Sequence, residues 1–279
     1  MMSGQLPEYD AAIAAFYRQA DEVHRLEEGP FLLEALRTRE LIERHARPAP
    51  ATVLDIGGAG GAYALWMAAA GYTVHLLDAA AHHVAEAERR SAVNQRPLAS
   101  CVLGDARRLP FADGCADVAL LLGPLYHLTT AADRMMALRE AARVLKPEGV
   151  LFAAAISRCG SVLDGLAREL FDDPRFEAMA EQDMRDGQHR NATERLDYFT
   201  TAYFHRPEEL RAEVAGAGFE VSGLYGIEGP GWILPDLAAR LEDPRRIETV
   251  LRVARLLESD PSVQGASAHL LAVGRKPRQ

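Results

Sequence analysis

The sequence lacks paired cysteines, a cluster of basic residues and a long apolar run. Cys101, Cys115 and Cys159 stand far apart, which argues against a disulfide scaffold or a CxxC metal site and is typical of reduced cysteines in a cytoplasmic protein. With 31 Lys plus Arg against 40 Asp plus Glu, the net charge is -9. An acidic chain repels a phosphate backbone, so we expect no nucleic-acid partner.

No apolar stretch approaches the length of a membrane span, and the first residues lack the pattern of a signal peptide. We therefore expect a cytoplasmic protein without a membrane partner. Its 279 residues are enough for one large domain with additions. Composition gives no indication of the oligomeric state.

Short apolar runs alternate with helical segments from Thr52 onward. This alternation predicts an α/β fold with a doubly wound, mostly parallel sheet covered by helices on both faces. The predicted strands are 52–56, 73–77, 99–103, 116–122, 149–156, 218–226 and "SAHLLAVGR". The predicted helices are 60–70, 80–93, 131–145, 207–217 and a helical stretch at 235–258.

Two segments depart from the alternation. Residues 8–46 have apolar residues at helical spacing, and residues after Ser157 form helices and polar loops without strands. We expect a helical cap at 1–48, an α/β core formed by 49–156 and 205–279, and an inserted helical lid at 157–204.

The stretch "VLDIGGAGGAYALWMAAAGYTVHLLD", residues 53–78, places a glycine-rich turn between a strand and a helix. Glycines let backbone N–H groups approach a ligand, so the turn predicts a nucleotide site, although a simple tight turn would look similar. The dinucleotide fingerprint GxGxxG fails in both registers, because Ala59 is third from Gly57 and Tyr63 is sixth from Gly58. A nicotinamide-dependent oxidoreductase is therefore disfavoured.

The same stretch resembles motif I of the class I S-adenosylmethionine-dependent methyltransferases, (D/E)xGxGxG. Asp55, Gly57, Ala59 and Gly61 occupy its positions, with Ala59 in place of the middle glycine. "LGDARRLPFADGCADVALLLG" and "VLKPEGVLFAAAI" resemble later parts of the family pattern. The resemblance implies a seven-stranded sheet in the order 3-2-1-4-5-7-6 with the last strand antiparallel, and S-adenosyl-L-methionine as the cofactor.

Two further acids follow strand ends. Asp78 would accept hydrogen bonds from both ribose hydroxyls, or it would cap the following helix. Asp105 would accept a hydrogen bond from the adenine amino group, with the Ala106 N–H on a ring nitrogen, unless it serves only as an Asp turn. The other residues assigned to the cofactor site are Gly58, Ala79, Leu122 and Tyr17.

Methyl transfer from a sulfonium requires orientation of the acceptor and, where needed, removal of its proton. His127, in "GPLYHL" after a predicted strand, is the first candidate base because a neutral imidazole can accept a proton near pH 7. Packing against the following helix is the alternative. Tyr126 would line the same pocket or fill the core, and His205 is a second candidate base. "GPLY" differs from the (D/N)PP(Y/F) motif, which argues against methylation of planar amides.

Several other residues have two interpretations each. Tyr9, Phe16 and Tyr17 would form an aromatic face over the cofactor or belong to the core. Arg25 or Arg37 would pair with the cofactor carboxylate or form surface ion pairs, and Trp232 would contact substrate or be buried.

No acidic metal triad is evident, so we expect catalysis without a divalent ion. The sequence thus predicts a methyltransferase that acts on a small molecule, with oxygen as the favoured atom. Methylation at nitrogen or carbon, and a cofactor-binding regulatory or scaffold protein without turnover, remain alternatives.

Overall fold

The computed structural model describes residues 11–19, 24–193 and 195–278. The strands of these residues form one seven-stranded sheet and one two-stranded sheet. In chain order the strands are β1 (Thr52–Ile56), β2 (Thr73–Asp78), β3 (Ser100–Leu103), β4 (Ala116–Leu121), β5 (Leu145–Ile156), β6 (Gln188–His189), β7 (Ala202–Tyr203), β8 (Glu220–Gly226) and β9 (His269–Arg275).

The helices lie mostly between the strands. In chain order they are α1 (Ala11–Tyr17), α2 (Leu32–His45), α3 (Ala62–Ala69), α4 (Ala81–Ala92), α5 (Pro124–His127), α6 (Ala131–Val144), α7 (Gly160–Ala167), α8 (Pro174–Asp186), α9 (Pro207–Gly216), α10 (Leu237–Glu242) and α11 (Pro244–Leu257). Among the residues in these ranges, no helix has the length and apolar character that a bilayer crossing requires.

The large sheet has the order β3-β2-β1-β4-β5-β9-β8. Strands β1 to β5 pair in parallel, and β9 runs antiparallel to both of its neighbours. Counted within this sheet alone, the order is 3-2-1-4-5-7-6 with an antiparallel last strand. The predicted fold class is therefore confirmed.

Both faces of the sheet are covered by helices, because both faces of its central strands carry mostly apolar side chains. All six residues of β4 are buried. One core cluster joins the sheet to α6 and α9, and a second joins the opposite face to α2, α3 and α4. Burying one such Leu or Val side chain contributes roughly 1.5–3 kcal/mol to folding.

The predicted helical stretch 8–46 is interrupted. Two 3₁₀ turns, Arg25–Glu27 and Gly29–Phe31, precede α2. Gly29, which has a φ of +63°, and Pro30, which has no N–H for a helical hydrogen bond, explain why α2 begins only at Leu32. Part of this stretch, including Tyr9, lies outside the described residues.

The segment after β5 contains α7 and α8, and it also contains strands, which the sequence interpretation did not expect. β6 and β7 form an antiparallel ladder of two residue pairs. Strands of two residues are too short to show the alternation on which strand prediction depends. The division into cap, core and lid remains our proposal.

Candidate cofactor and catalytic site

A cavity of about 310 Å³ lies at the carboxyl ends of β1, β2 and β4. The strand order reverses direction between β1 and β4, and open α/β sheets bind their ligands in the crevice at such a point. Most of the predicted site residues line this cavity: Tyr17, Asp55, Gly57, Gly58, Ala59, Asp78, Ala79, Asp105, Ala106, Leu122, Tyr126 and His127. Gly61 and His205 are not among the lining residues.

The glycine turn after β1 is held close to its neighbours. Gly57 has a φ of +76°, and a Cβ atom at this position would lie 2.6 Å from Cδ and Cγ of Pro124. A Cβ at Gly58 would lie 2.7 Å from Oδ2 of Asp55. Ala59 also has a positive φ, 45°, which is unfavourable for an L-residue. Gly61, which does not line the cavity, is the N-cap residue of α3.

Asp55 lies beneath this turn with a buried carboxyl group, 2% exposed. Burial, and next the nearby Asp78 carboxylate, raise the pKa of Asp55 to about 7. Its Oδ2 atom has no hydrogen-bond partner among the described residues. A buried polar atom without a partner is costly, so the site is suited to a ligand that brings a donor or positive charge.

Asp78 is oriented by three donors. Its Oδ2 accepts the Ala59 N–H at 2.9 Å, and its Oδ1 accepts the Ala80 N–H at 2.8 Å. The ring Nδ1 of His83 lies 3.2 Å from Oδ1. Ala80, not Asp78, is the N-cap residue of α4. The sequence interpretation did not assign His83, because only folding of α4 onto β2 brings it to the carboxylate.

Asp105 forms an Asp turn and also an ion pair. Its Oδ1 accepts the backbone N–H of Arg107 at 2.8 Å, and Nη2 of Arg107 lies 2.6 Å from Oδ2. Arg107 also pairs with Asp133 at 3.1 Å. Arg107 and Asp133 both line the cavity, and neither was predicted. An arginine two residues after a strand-end aspartate is the sequence signal that would have indicated this ion pair.

His127 ends α5 and faces the cavity beside an aromatic group. Its Nε2 lies 2.5 Å from the Tyr17 hydroxyl, and its Nδ1 lies 3.3 Å from the Thr201 carbonyl oxygen. The ring centroids of Tyr126 and Phe199 lie 4.7 Å and 5.9 Å from that of His127. Phe16 contacts Phe199 at 5.3 Å. α1 and the segment before β7 therefore bring aromatic rings to the candidate base.

The structure places the second candidate base elsewhere. His205 is fully buried, with Nε2 3.2 Å from Oε2 of Glu213 and with Nδ1 lacking a hydrogen-bond partner among the described residues. Burial lowers the pKa of His205, although Glu213 opposes this effect. The backbone N–H of His205 donates to Ile156, which fixes the residue beside β5. This position does not support a role for His205 in proton removal at the cavity.

A charged group forms another wall of the cavity. Arg25 donates to Glu34 at 2.6 Å and 3.2 Å, and both residues line the cavity. Nδ1 of His269 lies 3.8 Å from Glu34 and 2.6 Å from Glu228. Burial opposes the charge on His269, but Glu34 and Glu228 raise its pKa to about 9. Arg37, the other arginine considered for the cofactor, is buried away from this wall, where it donates to the Ile227 carbonyl oxygen.

Glu34, Glu228 and His269 present ligand atoms within 4.8 Å of one another, a spacing that a metal ion could use. However, Arg25 and the charged His269 already neutralise the carboxylates of Glu34 and Glu228, so the group forms a network of ion pairs that needs no metal ion.

Trp232 lies outside the cavity lining and donates from Nε1 to the Ala266 carbonyl oxygen at 2.8 Å. Its ring is partly buried against the apolar cluster formed by α2, α10 and α11.

Comparisons with known proteins identify the family. The model of a family described as "Methyltransferase domain" matches residues 54–153. The chain is 30% identical over 182 residues to a ubiquinone/menaquinone biosynthesis C-methyltransferase of Acidiphilium cryptum, covering 64% of this chain and 70% of the relative. This chain belongs to the class I S-adenosylmethionine-dependent methyltransferases. Both the family resemblance and the cofactor prediction are confirmed.

Other methyltransferases show how far the similarity extends. A ubiquinone biosynthesis O-methyltransferase of Caulobacter vibrioides is 30% identical over 184 residues, which cover 63% of this chain and 62% of that protein. A demethylmenaquinone methyltransferase of Beutenbergia cavernae is 37% identical over 112 residues, 40% of this chain and 43% of that protein. The chain thus spans less than two thirds of these two relatives.

Solved methyltransferase structures share the fold at low identity. A methyltransferase of Methanosarcina mazei aligns with a TM-score of 0.59 and 18% identity, covering 86% of this chain and 98% of that chain. A possible histamine N-methyltransferase of Thermotoga maritima aligns with a TM-score of 0.56 and 19% identity, covering 95% and 99%.

Proposed function

We propose that the protein transfers the methyl group of S-adenosylmethionine to an oxygen atom of a small molecule. The observation that carries this proposal is a single cavity that contains both the glycine turn with its carboxylates and the His127 imidazole. One space can therefore hold the methyl donor and present an acceptor to a base.

The charge of the cavity fits this cofactor. Five carboxyl groups line it, against the guanidinium groups of Arg25 and Arg107. S-adenosylmethionine carries a sulfonium and an ammonium against one carboxylate, so a site with excess negative charge favours it. The carboxyl groups are those of Glu34, Asp55, Asp78, Asp105 and Asp133.

Each part of the cofactor has a proposed partner. Asp78 would hold the ribose, and Asp105 with the Ala106 N–H would hold the adenine. The rest of the cofactor would lie against Asp55 and the turn formed by Gly57 and Gly58, where a side chain on either glycine would clash with its neighbours. The absence of a cationic side chain in this turn agrees with a nucleoside that has no phosphate groups.

The bound cofactor supplies an activated methyl group, so the protein needs to orient the acceptor and accept its proton. We assign proton removal to His127 and orientation to the aromatic rings of Tyr17 and Tyr126, which line the cavity and favour a flat, partly apolar acceptor. A relative named as an O-methyltransferase of ubiquinone biosynthesis supports oxygen as the methylated atom.

C-methylation is the second candidate, because the Acidiphilium cryptum relative is named as a C-methyltransferase. A regulatory protein that binds the cofactor without turnover is the third. We further propose a cytoplasmic location, which the three free cysteines support, and a small-molecule acceptor without a nucleic-acid or membrane partner.

Isothermal calorimetry with S-adenosylhomocysteine tests the cofactor site. We expect Asp78→Ala to weaken binding about 10- to 100-fold, because a charge-assisted hydrogen bond contributes about 1.5–3 kcal/mol. The control is Asp236→Ala, since Asp236 is exposed and pairs with Arg240 far from the cavity. Equal affinity of wild type and Asp78→Ala would contradict the assignment.

A panel of phenols, amines and activated carbon acids with labelled S-adenosylmethionine tests the reaction. Label found on the oxygen of a phenol supports O-methylation, and label found only on carbon or nitrogen refutes it. Tight cofactor binding without transfer to any acceptor would favour the regulatory alternative.

A further inference from the structure

The contacts of His127 define which ring nitrogen carries the proton. A backbone carbonyl oxygen can only accept, so Nδ1, which faces the Thr201 carbonyl at 3.3 Å, must be protonated. In the neutral ring the lone pair is then on Nε2. The Tyr17 hydroxyl, 2.5 Å from Nε2, donates to that lone pair.

This arrangement limits how His127 can act as a base. Nε2 of a neutral imidazole has one lone pair, and Tyr17 uses it. A proton from the acceptor can reach Nε2 directly only if the Tyr17 bond is broken first. The alternative path leads through the hydroxyl oxygen of Tyr17, which keeps acceptor capacity while it donates.

Tyr17 also lies beside the residues of the cofactor site. Its ring meets that of His83 at a centroid distance of 5.5 Å, and His83 contacts Asp78. Its carbonyl oxygen lies 3.1 Å from Nε2 of His82. The end of α1 is thereby fixed to α4, between the carboxylate assigned to the ribose and the candidate base.

We propose that Tyr17 is a catalytic residue that passes the acceptor's proton to His127, an inference that rests on the proposed O-methylation. The acceptor oxygen forms a bond to the methyl carbon while the bond from that carbon to sulfur breaks, and the sulfur keeps the electron pair. The acceptor proton moves to the Tyr17 oxygen, and the Tyr17 proton moves to Nε2. The products are the methyl ether, neutral S-adenosylhomocysteine and an imidazolium, which later releases its proton to water.

Nitrogen-15 NMR of the histidine side chains tests the contact without any acceptor. Tyr17→Phe keeps the ring and removes only the hydroxyl, so we expect the Nε2 resonance of His127 to move toward that of an unbonded nitrogen. Tyr72→Phe is the matched control, because the Tyr72 hydroxyl donates to the Arg47 carbonyl oxygen away from the cavity. An unchanged His127 resonance in Tyr17→Phe would overturn the proposal.

Turnover with a phenol that the wild type methylates tests the role. We expect Tyr17→Phe to lower kcat about 100-fold, within the usual range for acid–base catalysis, while S-adenosylhomocysteine affinity stays close to wild type. Adding His127→Asn should cause little further loss, since residues that act as one unit are not additive. Near-normal kcat in Tyr17→Phe overturns the relay but leaves O-methylation intact. Failure of the wild type to methylate any phenol refutes the proposed function itself, and the relay with it.

Discussion

Replacing Gly57 by alanine perturbs the glycine turn in two separable ways. The φ of +76° places a new Cβ in the left-handed region, which costs about 1–2 kcal/mol for an L-residue. The same Cβ would lie 2.6 Å from two ring carbons of Pro124, and relieving such overlap typically costs about 1–3 kcal/mol. Reduced freedom of the unfolded chain returns about 0.4–1 kcal/mol.

We therefore expect Gly57→Ala to lower the free energy of unfolding by about 2–4 kcal/mol, measured by urea denaturation. Gly114→Ala is a matched control, because Gly114 has a φ of +61° and no heavy atom within 4 Å of a Cβ. The control should lose about 1 kcal/mol or less, since only the backbone strain applies.

The difference between the two variants isolates the contact with Pro124. A double-mutant cycle with Pro124→Ala should recover part of that difference, because contacting residues show coupling energies. S-adenosylhomocysteine affinity should fall in Gly57→Ala and remain unchanged in Gly114→Ala. Equal destabilisation by the two alanines would refute the reasoning that Pro124 closes over the turn.

Two predictions concern pH. The folded-state pKa of Asp55, about 7, exceeds its ordinary value of 3.8, so the folded protein holds an extra proton between these values and loses stability as the pH rises. As the pH rises through that window, the free energy of unfolding of Asp55→Asn should therefore increase relative to that of wild type by about 1.4 kcal/mol for each pH unit. Denaturation without cofactor measures this difference, and a difference that does not change with pH would contradict the raised pKa of Asp55. His269, with a pKa raised to about 9 by Glu34 and Glu228 against the effect of burial, contributes stability that is fully present below pH 6.5 and is lost as the pH rises through 9. His269→Gln should flatten the stability curve over that range, and a curve parallel to that of wild type would argue against a charged His269.

The fold was predictable because its signals are local. Apolar strands such as β4 alternate with amphipathic helices, and the glycine turn follows β1 directly. The carboxyl ends of parallel strands meet at one edge, so Asp55, Asp78 and Asp105 could be placed together from their positions after strands. These residues all line the cavity.

The parts that could not be predicted depend on contacts between distant segments. Glu34 meets His269 across 235 positions of sequence, and His127 meets Thr201 through a backbone carbonyl that carries no residue-type signal. His205 was placed near the cavity because it follows the lid in sequence. Its packing beside Glu213 depends on how α9 folds back onto the sheet.

The packing of α2 has a consequence for synthesis of the chain. Arg37 and Arg44 of this helix pair with Glu258, and Glu34 faces His269, so late residues hold the helix that brings Glu34 to the cavity. On the ribosome the glycine turn and α2 emerge long before Glu258 and His269. The position of Glu34 should accordingly be fixed only after residues near position 269 have left the exit tunnel, and S-adenosylhomocysteine affinity of stalled nascent chains of increasing length would measure how far binding depends on that step.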